Sequence, residues 1–330
     1  MANVSKMGFP IFRLPILAIF NVFSMMNPLE MINFSMSSSK CKRIVKQFFC
    51  PGCKFELQLH IMDGTSISFK GTPTFWWEYE LTLEKNEDNI IKYDADSEKL
   101  MKYSTNILES FFNLFKYIDD LMSFKNLGFL LFEMNKFPLQ NDLIIQEIKN
   151  FKKPIEWFEV FSEEDVENDV TDILNHVKGI KHLNLSAPFS ENFELICPPS
   201  LSYLSISNSK WVNLKKLLEF SSTEIRIPKS ELTDMDLCAF FQSWIASESH
   251  SNLEKIEIHT VNPETFVTVS QNLPHEEFDN SVVRKVHSLP EWQIVLESFS
   301  IKRNDGTWAT IYLTQHTMHP DCLTLEMTVG

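Results

Sequence analysis

The chain has 330 residues, of which 44% are hydrophobic and 22% charged, so it has the composition of a folding chain and not of a disordered one. A formal charge of −14 argues against nucleic-acid or anionic-membrane binding, which needs a basic footprint. Only 8 glycines are present, which leaves little room for nucleotide-cradling loops, and neither G-x-G-x-x-G nor G-x-x-x-x-G-K occurs.

Residues 8–52 carry three helix starts. Pro15 suits a first helical turn, where a missing N–H costs nothing. Asn27 is an N-cap, Pro28 follows at N1, and Glu30 at N3 can reach back to the cap. A third helix can start at Ser37 or Ser38 and place Ile44, Val45 and Phe48 on one face. Three short helices cannot bury Leu14, Leu17, Ile19, Phe20, Phe23, Met26, Leu29, Ile32 and Phe34 among themselves. The rest of the chain or another protein must cover them. Lys6 and Arg13 before an apolar run imitate a secretory signal, but Pro10 and Pro15 flank its start, Asn21 and Ser24 interrupt it, and no small-residue cleavage site follows. No segment offers about 18 uninterrupted apolar residues. The expectation is a soluble protein of the cytoplasm, the nucleus or both, and not a secreted one.

Six cysteines at 41, 50, 53, 197, 238 and 322 are too sparse for a disulfide scaffold and fit a reducing compartment. Cys50-Pro51-Gly52-Cys53 has C-x-x-C spacing, but no second half completes a zinc site.

Residues 53–125 read as a β-meander with a linking helix. Leu57, Leu59 and Ile61 alternate up to Asp63-Gly64, and Ile67 and Phe69 alternate after it, which predicts a hairpin. Residues 72–83, with Phe75, Trp76, Trp77, Tyr79 and Leu81, predict a third strand, its tryptophans packed in the sheet. Lys85 to Lys99 reads as a charged loop. Asn106 to Met122 has helical periodicity, with Ser104 or Thr105 as its cap.

Residues 126–325 alternate strand and helix. Strand-like runs begin near Gly128, Ile155, Ile180, Leu201, Thr223 and Leu253, at steps of 21 to 30 residues. That spacing overlaps leucine-rich repeats and predicts a parallel sheet with right-handed crossovers. Val170, Ile173, Leu174 and Val177 form one helical stripe, with Gly179 read as its C′ residue; Leu214, Leu217, Leu218 and Phe220 form another. Thr233 caps a third, which reaches Ala246, with Asp236 three residues on and Leu237, Phe240, Phe241 and Trp244 on one face. Asn304-Asp305-Gly306 predicts a closing hairpin within Trp292 to Leu313, followed by a tail that is ordered only in part. His316, His319, Asp321 and Cys322 are the densest polar cluster; a Cys–His nucleophile or a metal site is one reading, and a solvated tail the preferred one. The fold expected is α+β or α/β: three helices, a hairpin-containing segment and a leucine-rich-repeat-like strand–helix domain.

The order Leu14-Pro15, then Phe23-Ser24-Met25-Met26-Asn27-Pro28-Leu29-Glu30, then Ser38-Ser39-Lys40 resembles an F-box. Leu201 to Trp211, the run Leu232-Thr233-Asp234-Met235-Asp236-Leu237 and the stretch Ile301-Lys302-Arg303-Asn304-Asp305-Gly306 resemble the associated domain of the large nematode-type F-box family. That resemblance implies a substrate-receptor subunit of a Skp–cullin–F-box (SCF) type ubiquitin ligase. Leu14, Pro15, Ile19, Phe23, Met26, Leu29 and Ile32 would meet the Skp-type adaptor and, through it, cullin. The associated domain would hold a target protein of unknown identity. No catalytic residue, cofactor or metal is implied, because the transfer chemistry lies in other subunits. The alternative is a non-ligase interaction scaffold, its helices docked on another partner or on the chain's own sheet.

Overall fold

The computed structural model describes residues 11–49, 53–71, 75–260, 264–275 and 293–330; of residues 260 and 319–322 only the backbone is described. The chain divides into two compact units, Met1–Leu130 and Leu131–Gly330.

The first unit opens with helices α1 (Ile16–Ser24), α2 (Pro28–Met36) and α3 (Ser39–Phe49). Strands β1 (Glu56–Ile61), β2 (Ser66–Lys70) and β3 (Trp76–Thr82) follow as the expected antiparallel meander. The first turn is where Asp63-Gly64 places it: Gly64 has φ +74, a conformation open to glycine at little cost. The charged stretch after it is not a loop. It forms β4 (Ile91–Tyr93) and β5 (Ser97–Tyr103), with β5 parallel to β3 and β4 antiparallel to β5 at the edge. The charges concealed the strand because they are paired across it. Lys99 lies opposite Glu78 and reaches Glu80 at 2.5 Å and Glu78 at 3.5 Å, while Leu100 and Met101 are both buried. Helix α4 (Ile107–Met122) is capped by Asn106 and not by Ser104 or Thr105; Ser104 instead accepts from the Asn106 N–H. Strand β6 (Leu127–Glu133) carries the chain into the second unit.

There the elements are α5 (Asn141–Lys149), β7 (Ile155–Phe161), α6 (Glu167–His176), β8 (His182–Ser186), β9 (Tyr203–Ile206), α7 (Leu214–Glu219), β10 (Glu224–Ile227), α8 (Asp234–Ile245), β11 (Lys255–Thr260), α9 (Glu264–Asn272), β12 (Gln293–Lys302), β13 (Trp308–His316) and β14 (His319–Val329). The strand order is β12-β13-β14-β11-β10-β9-β8-β7. Strands β7 to β11 are mutually parallel, and β14, β13 and β12 close the sheet antiparallel. Alternate strand residues Phe158, Val160, Leu183, Leu185, Leu204, Ile206, Ile225, Ile227, Ile256 and Ile258 are buried, as are Val170, Ile173, Leu237, Phe240, Phe241 and Trp244 of the helices. Each such side chain contributes about 1.5–3 kcal/mol relative to exposure.

This is the expected mixed α/β sheet, but its connections are unequal. Helices follow β7, β9 and β10, whereas residues 187–202 between β8 and β9 contain no helix, and a single regular repeat unit is not established. That segment is anchored by Phe189 stacked on Phe193 at 4.4 Å, both against Trp211. Gly179 is not the C′ residue of α6: the helix ends at an extended Val177, and Gly179, at φ +77, turns two residues later against Pro154. The tail is also different from expectation. It is β14, paired on both sides, with Leu323, Leu325 and Met327 buried.

Candidate docking surfaces

The three N-terminal helices owe their boundaries to their caps. Asn27 Oδ1 accepts from the Glu30 N–H at 2.8 Å, and Glu30 Oε2 accepts from the Asn27 N–H at 2.9 Å. Ser38 Oγ accepts from the Cys41 N–H at 3.2 Å and starts α3. Pro15 stands one place before the first turn of α1, as its N-cap, and its carbonyl accepts from the Ile19 N–H. The helices close on Phe23, which meets Phe34 at 5.5 Å and Phe48 at 5.7 Å, both edge-on.

One side of this bundle is fixed to the unit's own sheet and helix. Tyr79 Oη on β3 lies 3.0 Å from the Leu29 carbonyl and 3.2 Å from Asn33 Oδ1. Ser35 and Tyr117 share a hydrogen bond at 2.8 Å. Lys42 and Lys46 of α3 both reach Asp120 of α4, at 2.9 and 2.5 Å, and hold its carboxyl well down, at about 2. Asn27 Nδ2 also donates to Glu98 Oε2 at 3.0 Å.

The seven residues expected at the adaptor separate into two groups. Ile19, Phe23, Leu29 and Ile32 are 4%, 0%, 2% and 0% exposed, packed in the chain's own core. Pro15 is exposed, and Leu14 and Met26 are half-buried. Apolar residues outside those seven are exposed as well: Ile16, Leu17, Met25 and Met36 are 46%, 74%, 86% and 48% exposed, and Leu17 is among those the sequence marks as needing cover. The signal was present in helix period. Ile19 and Phe23 are four apart and define an inward face, which turns Leu17 elsewhere on a helix that is apolar nearly all round, while Ile16, on the inward side by period, is exposed as the first residue of the helix.

In the second unit, the face of the sheet opposite the buried alternation is open along β7 to β9. Trp157, His182 and Tyr203 lie opposite one another on adjacent strands and form a row, with Trp157 stacked on His182 at 4.9 Å. The next rung runs Glu159, Asn184, Ser205, Arg226, Glu257, Glu326. Glu257 and Glu326 are direct neighbours of like charge, reconciled by Lys255 at 2.5 and 3.2 Å and by Arg226 at 3.2 Å from Glu257. Burial alone would pull the Lys255 ammonium down, but its bonds to these carboxylates hold it above the usual lysine range. Beyond the aromatic row lies a cleft of about 350 Å³ lined by Leu131, Glu133, Glu159, Phe161, Asn184 and Ser207 among others.

Among the described residues no group of three or more His, Cys, Asp or Glu side chains is placed to hold a metal. His316 ends β13, and its Nδ1 accepts from the Met318 N–H; the side chains of His319, Asp321 and Cys322 lie outside the described residues, as do Cys50, Pro51 and Gly52 of the C-x-x-C run. No described helix is long and apolar enough to cross a membrane.

Residues 11–49, which span α1 to α3, match the F-box domain family. Residues 192–258, which span β9 to β11, match the family described as F-box associated. No curated protein matches the chain.

Proposed function

We propose that this chain, an F-box protein with an F-box-associated domain, is the substrate-receptor subunit of an SCF-type ubiquitin ligase. F-box domains generally bind Skp-type adaptors, and such proteins are generally non-catalytic. One observation carries the reading further. The bundle is tied to its own unit through Tyr79 and Asp120, yet α1 and its flanks still present Pro15, Ile16, Leu17 and Met25 to solvent, with Leu14 and Met26 half-covered. In this reading these residues meet the adaptor directly. Ile19, Phe23, Leu29 and Ile32 act from beneath, holding the helices that carry the contact.

The adaptor links the chain to cullin, and the associated domain holds a target. The parallel strands, following one another in chain order as in a leucine-rich-repeat array, offer their open face for that purpose. The chemistry is proximity: a target lysine held near the charged conjugating enzyme experiences a high effective concentration. The setting for such a ligase is the cytoplasm or the nucleus.

The test is Leu17→Asp combined with Met25→Asp, assayed by pulldown with a Skp-type adaptor. Central apolar anchors are worth about 2 kcal/mol or more each, so binding should fall by roughly a thousandfold while the melting temperature stays near wild type. Undiminished binding by the folded double variant would remove this surface from the adaptor contact.

A further inference from the structure

We infer that the cleft on the open sheet face around Glu159 receives the cationic side chain of a basic segment of the target protein. This rests on the receptor reading for the identity of the occupant, though not for the chemistry of the cleft. Glu159 Oε1 accepts from Trp157 Nε1 at 2.9 Å and from Asn184 Nδ2 at 3.3 Å. Both donors are neutral. They fix the carboxylate without cancelling its charge, and Glu159 has no cation partner among the described residues.

Its neighbours are already matched. Glu133, the other carboxylate of the cleft, has Lys136 at 3.6 Å, and Glu156 has Lys181 at 2.8 Å. Farther along the rung Arg226 and Lys255 answer Glu257 and Glu326. The cleft therefore keeps one oriented, uncompensated negative charge.

The remaining polar atoms point to the same ligand. Asn184 Oδ1 is buried and accepts from nothing among the described residues, an unmet acceptor beside the carboxylate. Leu131 and Phe161 supply apolar wall for the aliphatic stem of a long cationic side chain, which buries its methylenes while its head finds the acceptors. A guanidinium meets such a set well, because its planar fork of donors matches a carboxylate and an amide oxygen together. The chain's charge of −14 adds long-range attraction for a basic segment.

The experiment follows indole N–H resonances of the full-length chain by NMR. The probe is acetyl-Gly-Arg-Gly-amide, and its control is the same peptide with neutral citrulline for arginine. The Trp157 signal, identified by its loss in Trp157→Phe, reports directly, since its N–H bonds the carboxylate in question. The proposal expects a saturable shift with the arginine peptide, at least tenfold weaker with citrulline and in Glu159→Gln, and unchanged in Glu231→Gln, which removes an equal charge elsewhere. The other indole signals staying in place in Glu159→Gln shows that the fold is intact. Absence of a saturable shift, an equal shift with citrulline, or full binding by Glu159→Gln would overturn it. Concentration-dependent self-association lost in Glu159→Gln would also overturn it, by showing that a second copy of the chain fills the cleft. Adaptor pulldown of the wild-type chain separates the two readings. Peptide binding without adaptor binding keeps the cleft and removes the receptor role; adaptor binding without peptide binding does the reverse.

Discussion

Single residues set the tolerances of this fold. His250 is 7% exposed, edge-on to Phe240 at 5.0 Å, and neither ring nitrogen meets a partner among the described residues in hydrogen-bonding geometry. Burial drives its pKa down to about 4, against a weaker opposing pull from the Leu217 backbone. The folded state therefore binds this proton later than the unfolded state, whose histidine titrates near 6.5. The stability tied to neutral His250 is fully present above pH 6.5, falls as pH drops through that window and is lost below about 4. His250→Asn, which suits the left-handed backbone at φ 52 and cannot titrate, should unfold at a urea midpoint less dependent on pH between 6.5 and 4 than that of wild type. Equal slopes for the two proteins would show that His250 is not the titrating group.

Gly179 is the second such position. At φ +77 a side chain is strained, and a Cβ would stand 2.4 Å from Pro154 Cβ. Gly179→Ala should cost roughly 2 kcal/mol in chemical denaturation. A change below 0.5 kcal/mol would mean that the turn relaxes at little cost. No spacing rule distinguishes this glycine from a helix-ending one; only the approach of Pro154, distant in sequence, does.

At the scale of elements, the sequence was most legible where one local signal was complete. The capping boxes at Asn27 and Thr233 and the Asp-Gly turns at 63–64 and 305–306 each satisfy backbone groups within a few residues, and each appears as read. Elements stabilised by distant partners were hidden. Strand β5 looks like a loop until Glu78 and Glu80 of β3 answer Lys99. Strand β14 resembles a polar tail because Thr324, Glu326 and Thr328 alternate with its apolar residues. Glu326 is wholly buried, which is tolerable only because Lys255, Tyr312, Thr314 and Gln293 all reach it. The three N-terminal helices show the same division. Their existence and caps were readable, but which apolar face turned inward depended on Tyr79 and Asp120, more than 40 residues away.

For the molecule as a whole, the division of labour follows from two apolar demands met differently. The second unit buries one face of its sheet under its helices and leaves the other, polar and aromatic, open along β7 to β9. The first unit buries most of the N-terminal bundle at home and leaves an apolar strip on α1 without cover from the described chain. A chain carrying such a strip should be better behaved with its partner than without it, since a ligand of the folded state raises its apparent stability. The most direct measurement is size-exclusion chromatography of the full chain, purified with and without a co-expressed Skp-type adaptor. The account predicts a stable one-to-one complex, with the chain alone poorly soluble or self-associating. A well-behaved monomer that ignores the adaptor would contradict it, and would mean that the strip on α1 serves another partner.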